Sequence, residues 1–292
     1  MDPQLGLVCI THSEEVRYRT ITRTRLLQLD LEQQRLRLEA LYRENLARLN
    51  VAIDYCEREQ ISLYRMPSSL FPFFDEQVGR SAMTPLKEEV ARVGARALAG
   101  NTRLVMHPDQ FVVLNSDSEK VVSNSIKILQ MHADIMDLLQ QPRTPWALLE
   151  IHGGKSGRSR ELVQAIARLP EGIRLRLGLE NDEYAYGASD IHAICIESGV
   201  PMIFDAHHHV VHEGLSSYED PSIAAMLHKA RDTWTRPEHQ LVHISNGRAA
   251  FADRSHADLI EVMPSAFASV PWIEIEAKHK EQAIRRLRGI RA

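Results

Sequence analysis

Eight side chains of the kinds that hold metal ions stand out by where they fall: His107, His152, Glu180, Asp205, His208, His243, His256 and Glu276. The densest piece, "FDAHHHVVHE" (204–213), follows directly on the apolar run "VPMIF". His107 closes "RLVMH" (103–107), His152 closes "WALLEIH" (146–152), and Glu180 falls at the end of "IRLRLGLEN" (173–181). Asp205 falls at the end of "PMIFDAH" (201–207), with His208 three residues on. His243 lies within "QLVHIS" (240–245), His256 in the segment after it, and Glu276 near the end of "WIEIEAK" (272–278). Imidazole suits zinc and several first-row metals, while carboxylates bridge ions or add harder donors, so this set is enough for two or three divalent ions. A single ion would leave several buried polar groups without partners, which is costly. Any one of the eight, alone, reads as an ordinary hydrogen-bonded or solvated group. Six successive run ends carrying them read as one site.

The elements that must position these residues follow from hydrophobic periodicity. Two further apolar runs, "LGLVCI" (5–10) and "SLYRM" (62–66), bring the total to eight, and each is separated from the next by a stretch with helical spacing. The longest such stretch carries Leu38, Leu41, Tyr42, Leu46 and Leu49 at steps of three and four. Alternating strand and helix patterns predict an α/β fold with a parallel sheet. Eight units predict a single TIM (β/α)8 barrel over residues 1–292, with the metal site at the C-terminal face of the strands. The first βα turn lacks the glycine pattern of a dinucleotide fold. Helix starts are predicted at Ser123 or Ser125, at Ser189 and Asp190, and at Asp220-Pro221; Gly100 and Gly199 mark stops. His12, His132, His192, His228, His239 and His279 fall off the metal face and are read as structural. Of His207, His209 and His212, one is expected to orient a ligand and two to be loop residues.

Composition excludes more than it assigns. With 44% hydrophobic and 25% charged residues the chain is of ordinary globular type, and a net charge of −4 gives no global pull toward nucleic acid. Three widely spaced cysteines suggest neither a disulfide framework nor a thiolate zinc site. The opening "MDPQLGLVCITHSEE" lacks the features of a signal peptide, and no long apolar run suggests a membrane span, so a cytoplasmic location is expected. Local basic clusters remain. Arg17, Arg19, Arg23 and Arg25 crowd the loop after the first strand, interleaved with Thr20, Thr22 and Thr24, and "HGGKSGRSR" after the fourth offers Lys155 on a glycine-rich turn. On the metal-bearing face these suit phosphate contact.

The motifs taken together resemble the UV damage endonucleases, TIM-barrel repair enzymes related to the apurinic-site endonucleases. The resemblance runs over nearly the whole chain, through "LGLVC", "VRYRTITRTRLL", "YRMPSSLFP", "HPDQFVVLNS", "LEIHGG", "LGLENDE", "MIFDAHHH", "VHISNG" and "WIEIEAKHKE". It implies a multinuclear site, manganese-dependent with zinc or magnesium as alternatives, that hydrolyses the DNA backbone 5′ to ultraviolet photoproducts. It makes the eight residues metal ligands, and Gln110 and Phe111 the pair wedged into the duplex where the lesion is displaced. An aromatic ring can fill the gap left by extruded bases, and an amide can pair with the orphaned ones. Two departures are expected to alter details. Some members carry a carbamate-modified lysine where Leu241 stands, and an aromatic that probes the lesion where Leu7 stands.

Glu180, central in the strand order, is expected to bridge two ions, with His107 and His152 on one side and Asp205, His243 and Glu276 on the other. His208 and His256 would serve a third. Damaged double-stranded DNA is the expected partner; a monomer is expected, and neither a membrane nor a protein partner is implied. The rival readings are an apurinic-site endonuclease without photoproduct preference, a metal-dependent sugar isomerase or epimerase, and a noncatalytic metal- or DNA-binding protein.

Overall fold

The computed structural model describes residues 2–108 and 112–291, so the Gln110 and Phe111 wedge lies outside the described residues. Eight parallel strands pair in chain order, and the last closes on the first: β1 (Gln4–Val8), β2 (Leu63–Met66), β3 (Arg103–Met106), β4 (Leu149–His152), β5 (Leu177–Glu180), β6 (Met202–Asp205), β7 (Leu241–Ile244) and β8 (Trp272–Ile275). This is the TIM barrel expected, with one strand in each apolar run, β1 beginning one residue early at Gln4. Two runs are trimmed. β4 starts at Leu149 rather than 146, and residues 173 and 174 of the fifth run end the short helix Glu171–Arg174 that follows Pro170.

The helix starts were harder to read. Ser118 occupies the N-cap position of the helix Glu119–Leu138 without a side-chain capping bond, and both Ser123 and Ser125 lie inside the helix. Buried Ser125 instead accepts from the Val113 amide at 2.8 Å, tying this helix to the loop after β3. Gly187 precedes the helix Ala188–Ser198, placing Ser189 and Asp190 in its first turn. Asp220 caps Pro221–Asp232 as expected, its side chain accepting from the Ser222 amide. Gly199 takes the left-handed stop, whereas at Gly100 that conformation falls one residue on, at Asn101.

Inward-facing residues alternate along each strand, and the barrel interior is layered as a result. A dry layer of Leu63, Val105, Leu148, Ile203 and Leu241 fills the middle. Two residues further along the same strands stand Arg65, His107, Glu150, Asp205 and His243. Gly178 belongs to the dry layer because a Cβ there would lie 2.8 Å from Ile203 Cδ1. Glu180 is its successor. Leu241 therefore packs as barrel core, and the position two residues before His243 supplies no ligand. At β1, Gly6 faces inward against Leu63, which turns Leu7 outward into the helix-packed core. Leu7 is fully buried there and is not part of the mouth.

The opposite end is sealed around fully buried Arg103. Its guanidinium donates to the carbonyls of Trp146 (2.8 Å), Pro145 (2.8 Å) and His239 (3.0 Å). All three tryptophans of the chain surround it, Trp146 and Trp272 at 5.2 Å and Trp234 at 6.0 Å. Replacing Arg103 with Met strands three carbonyls, and we expect a loss of about 3 kcal/mol or more. Urea denaturation of the variant beside the parent measures it.

Candidate metal centre

Strand register places the ligand candidates side by side. His152 is the Cα partner of Glu180, Asp205 of His243, and His243 of Glu274. His107 and Glu276 each lie one residue past their strands, at the rim. Between β5 and β6 the backbone ladder is short, and Asn181 extends it. Its side chain donates to the Asp205 carbonyl and accepts from the Asp205 amide, both at 2.9 Å.

The stretch 204–213 turns off β6 as a helix, Ala206–Glu213, not as a loop. Asp205 is its N-cap, with Oδ1 accepting from the His208 amide at 2.7 Å, so the carboxylate is held by one oxygen and presents the other. His207 and His209 are buried on this helix, against Tyr218 and Ser222 respectively, and are not loop residues. His207 also meets the carbonyl of Asp253 at 2.8 Å, steadying the segment that carries His256.

Glu180 is the hub. Its Oε2 lies 3.0 Å from His107 Nε2 and 3.8 Å from His152 Nε2; its Oε1 lies 3.1 Å from His243 Nδ1 and 3.3 Å from His208 Nδ1. Four groupings arise at ligand spacing among the described residues: His107, His152 and Glu180; Glu180, Asp205 and His208; Asp205, His243 and Glu276; and, deeper, Glu150, His243 and Glu274. His208 thus groups with Glu180 and Asp205 rather than with His256, whose Nδ1 stands 3.8 Å from Glu276 Oε2. His107 Nδ1 faces the Pro108 carbonyl and His208 Nδ1 the Asn181 carbonyl, each at 2.9 Å. A carbonyl only accepts, so each ring holds a proton on Nδ1 and leaves Nε2 as the atom on which a bound cation would replace a proton.

Three groups that sequence reasoning passed over complete the centre. Glu150 and Glu274 are fully buried below His243, at 3.6 and 3.2 Å from its Nε2. Arg65 sets its Nη1 2.8 Å from Glu274 and 2.6 Å from Glu276. The signal was available: Glu150 and Glu274 stand two residues before His152 and Glu276, hence on the same strand face, and Arg65 interrupts an apolar strand. With Glu274 beneath Nε2, the His243 ring is oriented with Nδ1 toward Glu180 and Glu276.

Electrostatics follow from packing. Burial opposes ionisation of Glu180, but His243, His152, His107 and His208 outweigh it and hold its carboxyl well below the ordinary range. Burial likewise opposes the charge on His243 and His208, yet the facing carboxylates raise both well above an ordinary histidine. For His152, burial wins and its pKa falls. Asp205 Oδ2, His152 Nδ1 and both His243 nitrogens are buried without a hydrogen-bond partner, although carboxylate oxygens approach His243 to within 3.1 Å. Close approach without hydrogen-bond alignment, in a set of only imidazoles and carboxylates, fits donors that complete themselves on divalent cations.

Arg65, His107, His152, Glu180, His208, His256 and Glu276 line a cleft of about 570 Å³, together with Pro108, Val112, Gly154, Asp182, Tyr184 and Arg254. The basic residues expected at DNA stand outside it. Arg17 bonds the Thr11 carbonyl, Arg19 pairs with Glu44, Arg23 with Glu76, and Lys155 with Asp117; Arg25 is exposed.

A closed parallel barrel with imidazoles and carboxylates from six consecutive strands gathered at its C-terminal mouth defines a (β/α)8-barrel enzyme with a candidate divalent-metal centre. The chain belongs to the UV-endonuclease UvdE family, whose sequence model matches residues 3–291. It is 52% identical over 289 residues to a UV DNA damage endonuclease of Nostoc sp., covering 98% of this chain and 90% of that one. It is 48% identical to a UV DNA damage endonuclease of Deinococcus radiodurans, covering 98% and 95%. The structure titled "Crystal Structure of SacUVDE" superposes with a TM-score of 0.81 at 25% identity over 99% of both chains. A D-psicose 3-epimerase from Clostridium cellulolyticum H10 matches with a TM-score of 0.54 at 11% identity over 95% of this chain and 85% of that one, a likeness of fold alone.

Stripping divalent ions with EDTA is expected to lower the thermal midpoint. Restoring manganese or zinc at about 100 times its dissociation constant is expected to return about 2.7 kcal/mol. Calorimetry checks this, and a midpoint indifferent to every ion tried counts against the centre. Glu274→Gln is expected to weaken metal binding by about 10–100-fold through the orientation of His243, measured by titration calorimetry.

Proposed function

We propose that this protein is a DNA repair endonuclease that hydrolyses the phosphodiester immediately 5′ to ultraviolet photoproducts in duplex DNA, using two or three manganese ions. The observation that carries the reading is the convergence on Glu180 of imidazoles and carboxylates from six strands, in a chain of the UV-endonuclease UvdE family. His107, His152, Glu180, Asp205, His208, His243, His256 and Glu276 would hold the ions. Such ions neutralise the phosphate, lower the pKa of water and stabilise the departing oxygen.

The chain's own residues contribute the rest. Glu180, surrounded by histidines, stays ionised and fixes the spacing of its neighbours. Buried Arg65 pairs with Glu276 and Glu274, setting a permanent cation beside the two side chains. Val112, Val113 and Ile151 line the cleft beside the ligands, limiting water at the reacting phosphate. Gln110 and Phe111, immediately before Val112 in the sequence, would probe the lesion, and Arg17, Arg19, Arg23, Arg25 and Lys155 would meet the DNA backbone farther out. Those of the five that are paired with carboxylates would exchange these partners for phosphates on binding, which makes affinity strongly salt-dependent. No described helix is long and apolar enough to cross a membrane. We take the single barrel domain, acting as a cytoplasmic monomer, to be the catalytic unit.

The test is incision of a defined photoproduct duplex beside an apurinic duplex, with manganese, zinc and magnesium in turn. We expect nicking 5′ to the photoproduct, lost by about 10³-fold or more in Glu180→Gln, as for removal of an essential electrostatic group. Gln110→Ala combined with Phe111→Ala is expected to reduce preference for the lesion while metal content is unchanged. Protein that holds its metal and cuts neither duplex removes the assignment.

A further inference from the structure

The cleft has one feature that metal binding does not need. Among the described residues, several large hydrophobic side chains are exposed, and of these only Tyr184, 65% exposed, lines the cleft. Leaving an aromatic ring in water at the lip of a polar pocket forgoes the burial that would stabilise it. Arg254, which also lines the cleft, lays its guanidinium 3.8 Å from the centre of that ring and sets Nε 3.3 Å from Glu183 Oε1. The two side chains come from different loops, after β5 and after β7. Their contact bridges two sides of the cleft that His208 and His256 also line.

Both loops are built to hold this arrangement. Asp182 accepts from the Tyr184 amide at 2.8 Å and from the Ala185 amide, and its own amide donates to the Tyr186 carbonyl at 2.9 Å. The buried Tyr186 hydroxyl donates to the Lys155 carbonyl at 2.7 Å, anchoring the turn to the next loop. On the other side, Gly247 and His256 form an antiparallel bridge, and Asp253 accepts from the amides of Ala249 and Ser255. The backbone that carries the ring and the guanidinium is therefore fixed before any ligand arrives, which lowers the ordering cost of binding.

We propose that Tyr184 and Arg254 form a nucleotide clamp at the lip of the metal cleft, taking one unstacked nucleotide of the damaged strand next to the scissile phosphate. The base stacks on the face of the tyrosine ring that Arg254 leaves open, and the guanidinium edge donates to the adjoining phosphate. A ring face accepts any base, so the clamp contributes affinity for a distorted, unstacked strand without reading its sequence. Arg254 carries a countercharge, Glu183, that a phosphate can displace, and its side chain is 51% exposed. The inference rests on the nuclease reading.

The test is fluorescence anisotropy of a labelled photoproduct duplex with a phosphorothioate at the scissile bond, which resists hydrolysis, on the metal-loaded protein. Tyr184→Ala is expected to weaken binding about tenfold, the low end for one stacked base, while Tyr184→Phe stays within about twofold of the parent. Arg254→Gln is expected to weaken binding and to reduce the salt slope by about one unit. Metal content by elemental analysis should equal the parent's in all three, which a merely structural role would not predict. Binding of Tyr184→Ala equal to the parent's, or lost only together with metal, overturns the clamp. Incision by the parent of a cleavable duplex is read separately. Tyr184-dependent binding without incision removes the nuclease reading, incision with Tyr184-independent binding removes the clamp alone, and a parent that binds no duplex removes both.

Discussion

Five carboxylates, Glu150, Glu180, Asp205, Glu274 and Glu276, are buried close together inside one closed barrel, and the rest of the centre exists to compensate them. Like charges at these separations in a low-dielectric interior cannot stay ionised unaided. The compensation is layered. Arg65 is a permanent cation set between the lower and upper carboxylates, and four histidines surround Glu180. What remains, the buried donors without hydrogen-bond partners, would be matched by divalent cations. An arginine among the ligands would seem to compete with metal. Its contacts with Glu274 and Glu276 would instead offset carboxylate repulsion that metal ions alone leave.

The two ends of the barrel solve opposite problems. The N-terminal end must be closed, and Arg103 closes it with three carbonyl acceptors and three indole rings, a charge made tolerable by complete hydrogen bonding. The C-terminal end must stay open, and between them the dry layer around Leu241 separates the two polar regions. Leu241 and Leu7 now have plain structural roles. Leu241 fills barrel core beneath His243, and the carboxyl groups under that histidine come from Glu150 and Glu274 on other strands. Leu7 faces the helices and takes no part in the mouth.

A net charge of −4 leaves recognition of a polyanion to local features. The basic side chains after β1 and β4 are mostly paired with carboxylates and stand away from the cleft, so they suit backbone grip at a distance. The lip of the cleft is different in kind: an exposed ring, a stacked guanidinium and two loops braced by their own backbone bonds. Under the proposed function, backbone grip and contact at the lesion would fall to separate surfaces of one face.

Much of this was legible in the chain itself. Strand number, barrel closure and the eight ligand candidates follow from local pattern, because inward and outward positions alternate strictly and the ends of parallel strands share one face. The same two-residue step could have exposed Glu150 and Glu274, whose spacing to His152 and Glu276 marks a shared face. Local sequence misled at the helix starts, where Ser118 and Gly187 displaced the expected caps, and at 204–213, where Asp205 caps a helix and also presents a ligand oxygen. What only the tertiary structure decided is which donors meet: His243 between Glu180 above and Glu274 below, His208 with Asp205, Arg65 reaching β8 from β2, and Tyr184 against Arg254. Those pairings depend on strand register and on loops that approach only when the barrel closes, and a one-residue shift of any strand would turn its ligands to the other face.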